Sequence, residues 1–403
     1  MMLTPPRFLM ISPEYNLQRV GGLGTHVQGL APRLSERVLL DLMVPRYQGM
    51  GDLCEPLEAY GTVYRGDAIR PEPGNDFDLQ VWRMNDQINA MITRHINNGR
   101  RFTLMHAHDW LSGYVANDLH QRYAIPMVVT IHATEMGRRR GHVHGHPLSE
   151  RIHLAEQYLA READLIIACS EFMRQEIIDA LHADPDKIRV IPNGVEYKHL
   201  IELRQKYALF PHIRRRWAQP DQQLIFFVGR LEWEKGPDLL VQAMPRVLAE
   251  FPNARLVLAG KGSYTGQLIE MIQKAGLEEA IQLAGFISDE TRNELYAVAD
   301  IAVFPSRYEP FGIVALEAMA AGAPVVVSNV GGLSEVVDHG VTGLRADTTS
   351  DAIADAILDI LHHPDLAAER ARRAQNVVRT QYSWEHIADR VLEVYRELLG
   401  AAP

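Results

Sequence analysis

The sequence predicts an α/β protein built of two doubly wound domains that face each other across a cleft. Short, strongly apolar runs alternate with helical patterns, which is typical of parallel sheets covered on both faces. These runs fall into two sets, separated by a polar, basic stretch at Tyr197–Gln223. The chain of 403 residues is also longer than one hydrophobic core usually serves. Ligands of such sheets bind beyond the ends of the strands, so motifs are expected just after strands.

The predicted strands of the first domain are Arg7–Ser12, Val38–Val44, Leu104–His106, Met127–His132, Leu165–Ser170 and Ile188–Ile191. Those of the second domain are Leu224–Gly229, Arg255–Gly260, Ile281–Gly285, Ile301–Pro305 and Pro324–Ser328. A helix is predicted after Gly24, because the apolar residues that follow are spaced three, four and seven apart: Val27, Leu30, Ala31 and Leu34.

The domain junction is predicted within Tyr197–Gln223, which contains two prolines and three consecutive arginines. We therefore assign residues 1–200 to the first domain and residues 201–382 to the second. Residues 383–403 form an amphipathic helix, with its apolar side at Ile387, Val391, Val394 and Tyr395. This helix either closes the second domain or reaches back across the first.

Composition excludes several classes of protein. The chain has 41 basic and 51 acidic residues, so its net charge of −10 argues against nucleic acid or an anionic membrane as the main partner. Two cysteines cannot make a disulfide framework or a cysteine-only zinc site. No secretory signal or membrane-spanning run is evident, so we expect a cytoplasmic protein with no stable membrane association. The oligomeric state is not predicted.

The segment Phe304–Gly322 is the most informative. A strand ends near Pro305 and a helix starts around Phe311 or Gly312, where its free amides and the positive end of its dipole would attract phosphate. Glu317 lies one turn inside this helix, within reach of a ribose beside that phosphate. Glu309 lies in the turn, where a sugar attached to the phosphate would sit.

A second segment, Val228–Gly236, also follows a strand. Arg230 and Lys235 put a guanidinium and an ammonium on one loop, a common pairing for a diphosphate. The alternative is two surface cations balanced by Glu232 and Glu234. The chain lacks the Gly-x-x-x-x-Gly-Lys-Ser/Thr phosphate loop, which disfavours an ATPase of that type.

Two further groups lie after strands of the first domain. Gly21–Gly24 would let the backbone approach a ligand, and Arg19 just before it could meet a phosphate. His106–Trp110 and Thr130–Glu135 combine histidine, aspartate and tryptophan, which suits the hydroxyls and the apolar face of a sugar. Metal binding by His106 and His108 is the rival interpretation. A loop with alternating histidines could bind metal adventitiously: His142, His144 and His146.

Together these segments resemble the retaining nucleotide-sugar glycosyltransferases of family 4, which have the GT-B fold of two Rossmann-like domains, and specifically their glycogen and starch synthase-like branch. The resemblance covers nearly the whole chain and rests on motifs in the family's order. They are Gly21–Gly24, His106–Trp110, His132–Glu135, Pro192–Val195, Gly229–Gly236, Glu309–Glu317 and Gly331–Glu335.

The resemblance implies roles for each motif. In the second domain, Arg230 and Lys235 would neutralise the donor diphosphate and Glu317 would bind the ribose. Amides for the phosphates would come from Phe311, Gly312 and Ile313, and Glu309 would contact the donor sugar or stabilise its developing positive charge. The first domain would hold the acceptor. Near the phosphates the resemblance implies Gly22, Leu23 and Arg19, and beside the reacting carbon it implies His132. On the acceptor side it implies His108, Asp109 and Trp110. Arg19 replaces the lysine that usually precedes the glycine pair.

The expected function is transfer of a hexose, glucose by preference, from ADP- or UDP-glucose to an α-glucan or a small sugar with retention of configuration. The resemblance implies no cofactor and no metal, because the arginine and the lysine replace one. The alternatives are a nucleotide-sugar epimerase of the same fold and a lipid or small-molecule glycosyltransferase. Two further alternatives are a non-catalytic nucleotide-sugar sensor and a glycosidase that uses two glutamates.

Overall fold

A computed structural model of the chain describes residues 6–16, 21–69, 77–208 and 210–400. The chain divides into two compact units. Unit 1 comprises Met1–Gly194 together with Trp384–Pro403, and unit 2 comprises Val195–Ser383. The division falls six residues before the expected boundary after residue 200, and the last helix belongs to unit 1.

Unit 1 contains an eight-stranded sheet in the order β3-β4-β2-β1-β5-β6-β7-β8. Every pairing is parallel except that of β3 with β4. The strands are β1 (Arg7–Ile11), β2 (Leu39–Tyr47), β3 (Cys54–Leu57), β4 (Gly61–Ile69), β5 (Leu104–His108), β6 (Met127–Ile131), β7 (Leu165–Ala168) and β8 (Ile188–Val190). The strand order reverses at β1, which has β2 on one side and β5 on the other.

Unit 2 contains a six-stranded, wholly parallel sheet in the order β11-β10-β9-β12-β13-β14. Its strands are β9 (Leu224–Val228), β10 (Arg255–Ala259), β11 (Ile281–Gly285), β12 (Ile301–Phe304), β13 (Val325–Ser328) and β14 (Leu344–Ala346). The order reverses between β9 and β12. Both units are therefore doubly wound, as the apolar strands predicted, and each has one point at which a ligand of such a sheet binds.

Helices α1–α6 and α16 cover the sheet of unit 1, and α7–α15 belong to unit 2. Their bounds are α1 (Gly22–Ser35), α2 (Phe77–Asn97), α3 (Gly113–Tyr123), α4 (Glu135–Arg138), α5 (Pro147–Glu162), α6 (Glu171–Leu181), α7 (Tyr197–Ala208), α8 (Pro211–Arg215), α9 (Pro237–Glu250), α10 (Thr265–Ala275), α11 (Asp289–Val298), α12 (Ile313–Ala320), α13 (Leu333–Val336), α14 (Ser350–His362), α15 (Pro364–Gln381) and α16 (Trp384–Leu398).

The final helix, α16, packs against α1. Its predicted apolar side is buried, and Trp384 at its first turn is only 3% exposed. An added Cβ at Gly29 of α1 would lie 2.0 Å from the Trp384 ring, and one at Gly194 would lie 2.6 Å from it. The absence of a side chain at these two glycines therefore lets the indole pack against α1 and Gly194, which holds α16 on unit 1.

Three strands and two helices differ from the sequence expectations. The apolar patterns do not predict β3, β4 or β14, and the predicted junction Tyr197–Gln223 contains two helices, α7 and α8. Helix α7 packs on α11 and α12, so it belongs to unit 2. Among the described residues, none of the helices combines the length and apolar composition that crossing a membrane requires.

Candidate active site

In unit 2 the two charged loops lie side by side because their strands are neighbours. β9 pairs with β12, with Ile225 beside Ile301, so the loops that follow both strands start at the same edge of the sheet. The backbone amides of Arg307 and Tyr308 both donate to the carbonyl oxygen of Glu234, at 2.7 and 3.2 Å. These bonds join the loop after β12 to the loop after β9.

Arg307, which the sequence analysis did not single out, braces this junction. Its two Nη atoms donate to the two carboxylate oxygens of Asp238 at 2.8 and 2.7 Å, and Nη1 also donates to the carbonyl oxygen of Trp233. Its guanidinium lies 4.4 Å from the centroid of the Trp233 ring. A bidentate, stacked arginine holds a fixed geometry, so the loop carrying Lys235 is rigidly placed.

Gly236 makes the close approach of the two loops possible. Its φ is +68°, and an added Cβ would lie 2.0 Å from the carbonyl oxygen of Pro305. Since only glycine adopts this backbone conformation without strain and leaves that space open, the contact requires glycine. Gly236 therefore couples the end of the first loop to the strand that leads into the second.

The two cations of the first loop both have carboxylate partners within unit 2. Lys235 Nζ lies 2.9 Å from Glu309 Oε2, and Ser306 Oγ donates to the same oxygen at 3.4 Å. Arg230 pairs with Glu234. The structure thus brings Lys235 and Glu309 together, while Arg230 is more exposed and lies on the outer part of the loop.

The start of α12 has the features expected of a phosphate site. Gly312 precedes the helix with φ of +104°, and an added Cβ there would lie 2.5 Å from Leu333 Cδ2. The helix begins at Ile313, and the first amides of a helix have no intrahelical acceptor. The side chain of Phe311 is buried, so any hydrogen bond from this residue to a phosphate would come from its backbone amide.

Glu317 is buried within α12 and is held by residues of α11. Tyr296 donates its hydroxyl to Glu317 Oε2 at 3.2 Å, and Arg292 Nη2 lies 3.3 Å from Glu317 Oε1. Burial and the neighbouring carboxylate raise the pKa of the Tyr296 hydroxyl well above its usual value, so it remains a donor. No sequence pattern points to Arg292 or Tyr296, since both lie on a helix that carries no motif.

Two further side chains flank this edge of the sheet. Phe286 follows β11 and is 75% exposed, and Lys261 Nζ, after β10, lies 5.7 Å from its ring centroid. A lone exposed phenylalanine after an edge strand carries no sequence pattern. Sequence reasoning therefore missed it.

In unit 1 the glycine segment opens α1. The backbone amide of Gly21 donates to Glu14 Oε2 at 3.1 Å, Gly22 is exposed, and Leu23 is buried. No acidic residue lies in the first turn of α1. The described structure does not include Arg19, so the prediction of a phosphate contact there falls outside it.

The residues expected on the acceptor side are buried within unit 1. His108 is fully buried and Trp110 is 4% exposed, and their role towards an acceptor stays a prediction. Asp109 is also buried, with a φ of +55° that is uncommon outside glycine. Its Oδ1 accepts the backbone amide of His132 at 2.7 Å. Asp109 thus positions His132.

Four histidines from α1, β5 and the end of β6 lie together in unit 1. His26 donates through Nδ1 to Asn193 Oδ1 at 2.6 Å, and His108 Nδ1 lies 3.2 Å from His132 Nε2. His106 bridges Tyr395 and Thr130, at 2.6 and 2.7 Å. The sequence motifs include three of these residues but not His26, which faces them from a helix.

Burial decides the charge of this histidine cluster, defined as His26, His106, His108 and His132. Burial lowers the pKa of the first three well below the usual value, and burial followed by the charge of Arg138 lowers the pKa of His132 to about 3. Burial also raises the pKa of Asp109 to about 6. The cluster is therefore neutral at neutral pH.

Comparison with known proteins identifies the chain. The family model described as "Glycosyltransferase Family 4" matches residues 20–199, and the model described as "Glycosyl transferases group 1" matches residues 210–377. The chain is also 36% identical to a glycogen synthase of Mycobacterium tuberculosis, over 96% of this chain and 94% of that protein. The chain belongs to the family 4 glycosyltransferases.

Two other relatives of this glycosyltransferase have different descriptions. It is 33% identical to an uncharacterised glycosyltransferase of Methanocaldococcus jannaschii, over 98% of this chain and 100% of that protein. It is also 33% identical to a D-inositol 3-phosphate glycosyltransferase of Kineococcus radiotolerans, over 93% and 90% of the two chains. Similarity of this degree shows the family, but the relatives at this level are described with different acceptors.

Solved structures show that this glycosyltransferase has the GT-B fold. Sucrose-phosphate synthase from Thermosynechococcus elongatus aligns with a TM-score of 0.80 at 23% identity, over 98% of this chain and 100% of that one. The catalytic domain of starch synthase IV from Arabidopsis thaliana, bound to ADP and acarbose, aligns with a TM-score of 0.77 at 16% identity, over 98% and 99%. The predicted fold is confirmed.

Proposed function

We propose that this glycosyltransferase moves a hexose, glucose by preference, from a nucleoside diphosphate sugar to an α-glucan or a small sugar acceptor, with retention of configuration and without a metal in the chemical step. ADP- and UDP-glucose are the favoured donors. The observation that carries the proposal is the placement of Lys235 and Glu309, which meet at the switch point of unit 2 beside the start of α12. The glycogen synthase relative and the ADP complex of the starch synthase domain support the choice of donor.

The donor diphosphate would bind at the start of α12. The amides around Gly312 and Ile313 supply hydrogen-bond donors and the positive end of the helix dipole. Lys235 would leave Glu309 or bridge it to a phosphate oxygen, and Arg230 would turn from Glu234 to the same anion. Cations and amides that stabilise the departing diphosphate lower the barrier most, because that group gains negative charge in the transition state.

Glu317 would bind the ribose hydroxyls. Its carboxylate is already oriented by Arg292 and Tyr296, so little side-chain freedom remains to be lost on binding. Glu309 would contact the donor sugar or stabilise its positive charge as the bond to the diphosphate breaks. In unit 1, His132 would lie beside the reacting carbon, held by the bond from its backbone amide to Asp109. Gly22 and Leu23 would bring the backbone at the start of α1 to the phosphates.

Retention is expected from a same-face route in which the departing phosphate accepts the proton of the acceptor hydroxyl. The glycosidic bond to the diphosphate breaks as the bond to the acceptor oxygen forms on the same face. The diphosphate takes both the bonding electron pair and, finally, the acceptor proton, so no enzymatic nucleophile is needed. Positioning of the acceptor hydroxyl then contributes the second large share of the rate.

The direct test is a matrix of ADP-, UDP- and GDP-sugars against glucan, monosaccharide and inositol phosphate acceptors, measured by nucleotide release and by NMR of the product anomer. Glu309→Gln and Lys235→Ala are expected to lower turnover by roughly 100-fold or more. Lys274→Ala removes an exposed, carboxylate-paired lysine of α10 and serves as the matched control. Near-normal turnover in both site variants would remove these residues from the active site.

Two alternatives have their own outcomes in the same assay. The inositol phosphate relative favours a small phosphorylated acceptor, which the acceptor panel would reveal directly. An epimerase of the same fold would convert the donor when no acceptor is present, and NMR of the donor alone would detect the epimer. An inverted product anomer would contradict the proposed stereochemistry.

A further inference from the structure

We infer that His26, His108 and His132 form a binding site for a borderline divalent cation such as Zn²⁺ in unit 1. One ring nitrogen of each lies within 4.8 Å of a ring nitrogen of the other two. Neutral imidazole is a preferred ligand of Zn²⁺, and three histidines are a known protein ligand set for this ion. The inference departs from the expectation that the chain holds no metal.

The tautomer of His26 is already the one that a metal ligand needs. Asn193 Oδ1 can only accept a hydrogen bond, so His26 Nδ1 carries the proton and Nε2 presents a lone pair. His26 is 2% exposed, and its Nε2 has no hydrogen-bond partner in the described structure. A histidine that ligates a metal commonly donates its other ring N–H to a fixed oxygen, and Asn193 supplies that oxygen here.

The spacing of the other two histidines also fits. His108 Nδ1 and His132 Nε2 lie 3.2 Å apart, so one of them carries a proton that it donates to the lone pair of the other. Zinc–nitrogen bonds of about 2.0–2.1 Å place two ligands of a tetrahedral ion about 3.3 Å apart. Only a small displacement would therefore allow both nitrogens to bind one ion, once the proton between them has moved to the other ring nitrogen of the histidine that carries it.

Buried polar atoms without partners are a second, independent observation. His108 is fully buried and its Nε2 has no hydrogen-bond partner in the described structure, like that of His26. A buried polar group without a partner costs about 1–3 kcal/mol, so native proteins rarely leave two in one cluster without a reason. A metal ion would give His26 Nε2 the partner that it lacks, while His108 Nε2 would keep the proton of a neutral ligand.

Occupation of this site would affect transfer only if the proposed function holds. His132 is partly exposed at the end of β6, and a bound ion would take its Nε2 away from the donor sugar. Zn²⁺ would then inhibit, with the open fourth position available to water or to a substrate oxygen. The binding itself does not depend on the reaction.

The test uses the full chain without an affinity tag, with Co²⁺ and Zn²⁺ as probes. Competition against a chromophoric chelator is expected to show one tight site, and X-ray absorption at the zinc edge is expected to show three imidazole ligands. His26→Gln and His108→Gln should each weaken binding by about 100-fold or more. Asn193→Ala, which leaves every ligand in place, should weaken it by roughly 10- to 100-fold.

The control is the combined His142→Gln, His144→Gln and His146→Gln variant, which removes the histidine loop that could bind metal adventitiously. Its affinity should stay within a few-fold of the parent chain. Loss of binding in this variant, or unchanged binding in His26→Gln and His108→Gln, would overturn the site. Circular dichroism checks folding, and if a ligand variant is unfolded, Asn193→Ala and the absorption spectrum of the parent chain decide.

Activity provides a separate readout. Added Zn²⁺ should inhibit transfer by the parent chain, and a chelator should restore it. Binding with three imidazoles but without inhibition would contradict the placement of His132 beside the donor and leave the metal site intact. The absence of any turnover would concern the proposed function alone.

Discussion

The two switch points of the molecule have the same topology but opposite chemistry. In unit 2 the loops carry charged pairs, Lys235 with Glu309 and Arg230 with Glu234, arranged around glycines that admit close backbone contacts. In unit 1 the corresponding place holds neutral, buried histidines joined by hydrogen bonds. The shared topology therefore sets where a ligand site is expected in each unit, while the side chains decide whether ion pairs or hydrogen bonds dominate there.

This difference predicts different sensitivities. The unit 2 site depends on backbone space and on ion pairs, so glycine substitutions and salt should disturb it. The unit 1 site depends on burial of titratable groups, so pH should disturb it. Each variant below changes one of these properties at one site and compares it with a matched position elsewhere.

The largest effect is expected for Gly236→Ala. Gly236 and Gly276 have nearly equal φ values of +68° and +65°, but only Gly236 has a backbone oxygen in the way of a Cβ. Gly276→Ala should cost about 1–2 kcal/mol for the left-handed backbone alone. Gly236→Ala adds a 2.0 Å contact with Pro305 and should cost roughly 3 kcal/mol or more.

Denaturant titration of both glycine variants measures that difference, and hydrogen exchange in peptides from β9 and β12 locates it. Gly236→Ala should also weaken nucleotide binding, since the loop carrying Lys235 must move. Equal destabilisation by the two substitutions would show that the two loops are not held together through this contact.

The strands with continuous apolar runs could be predicted, but β3, β4 and β14 could not, and β4 shows why. Its sequence includes Arg65 and Asp67, and no apolar period is visible. Arg65 is nevertheless 4% exposed, because Glu55 pairs with it at 2.7 Å and the carbonyl oxygen of Asp52 accepts from it. Contacts with residues elsewhere in the chain, which the local sequence does not show, therefore stabilise a strand that its own residues do not predict.

The candidate site divides in the same way. Glu309, Lys235 and the start of α12 follow strands directly, so the sequence placed them at one edge of the sheet. The burial of His108 could not be predicted from its strand, since its ring lies among those of His106, His132 and His26, the last of which comes from α1. Arg307 and Arg292 act through partners on other elements, and no spacing in the sequence signals such contacts.

Asp109→Asn tests the pH sensitivity of unit 1. The folded pKa of about 6 exceeds the ordinary value of 3.8, so the folded state binds this proton more tightly than the unfolded state does. The contribution of Asp109 to the free energy of unfolding is therefore full below pH 4 and falls as pH rises towards 6, by about 3 kcal/mol at most. The asparagine variant, which cannot titrate, lacks this loss.

The measurement is the free energy of unfolding of both proteins from pH 4 to 7. The free energy of unfolding of Asp109→Asn relative to that of the parent should rise with pH across that range.

The histidine cluster has the opposite pH dependence, because its lowered pKa values make the folded state less stable as pH falls. This contribution is common to both proteins and cancels in the comparison. Asp365→Asn, at an exposed position of α15, controls for the loss of a carboxylate. A constant difference would refute the buried, proton-binding state of Asp109.

Glu317→Gln tests the ribose contact. A hydrogen bond to a charged group contributes about 1.5–3 kcal/mol, so the variant should bind a nucleoside diphosphate roughly 10- to 100-fold more weakly. It should lose little affinity for the 2′,3′-dideoxy analogue, which lacks the hydroxyls. Calorimetric titration measures the affinity of the parent and the variant for both ligands, and Glu278→Gln, at an exposed position, is the control. Equal losses for the two ligands would place Glu317 away from the ribose.

The smallest effect is expected for Arg230→Ala. Arg230 and Arg246 are a matched pair, because their side chains are 53% and 46% exposed and each pairs with one carboxylate, Glu234 or Asp355. Exposed ion pairs contribute at most about 1 kcal/mol to stability, so neither alanine variant should change the unfolding free energy by more than that.

Of the two arginines, only Arg230 lies on the proposed diphosphate loop. Its loss should therefore weaken nucleotide binding several-fold at low salt and less at high salt, where screening has already reduced the attraction. Affinity measured at two ionic strengths for both variants decides the point, since equal affinities would leave Lys235 as the sole cation of the loop that binds the diphosphate.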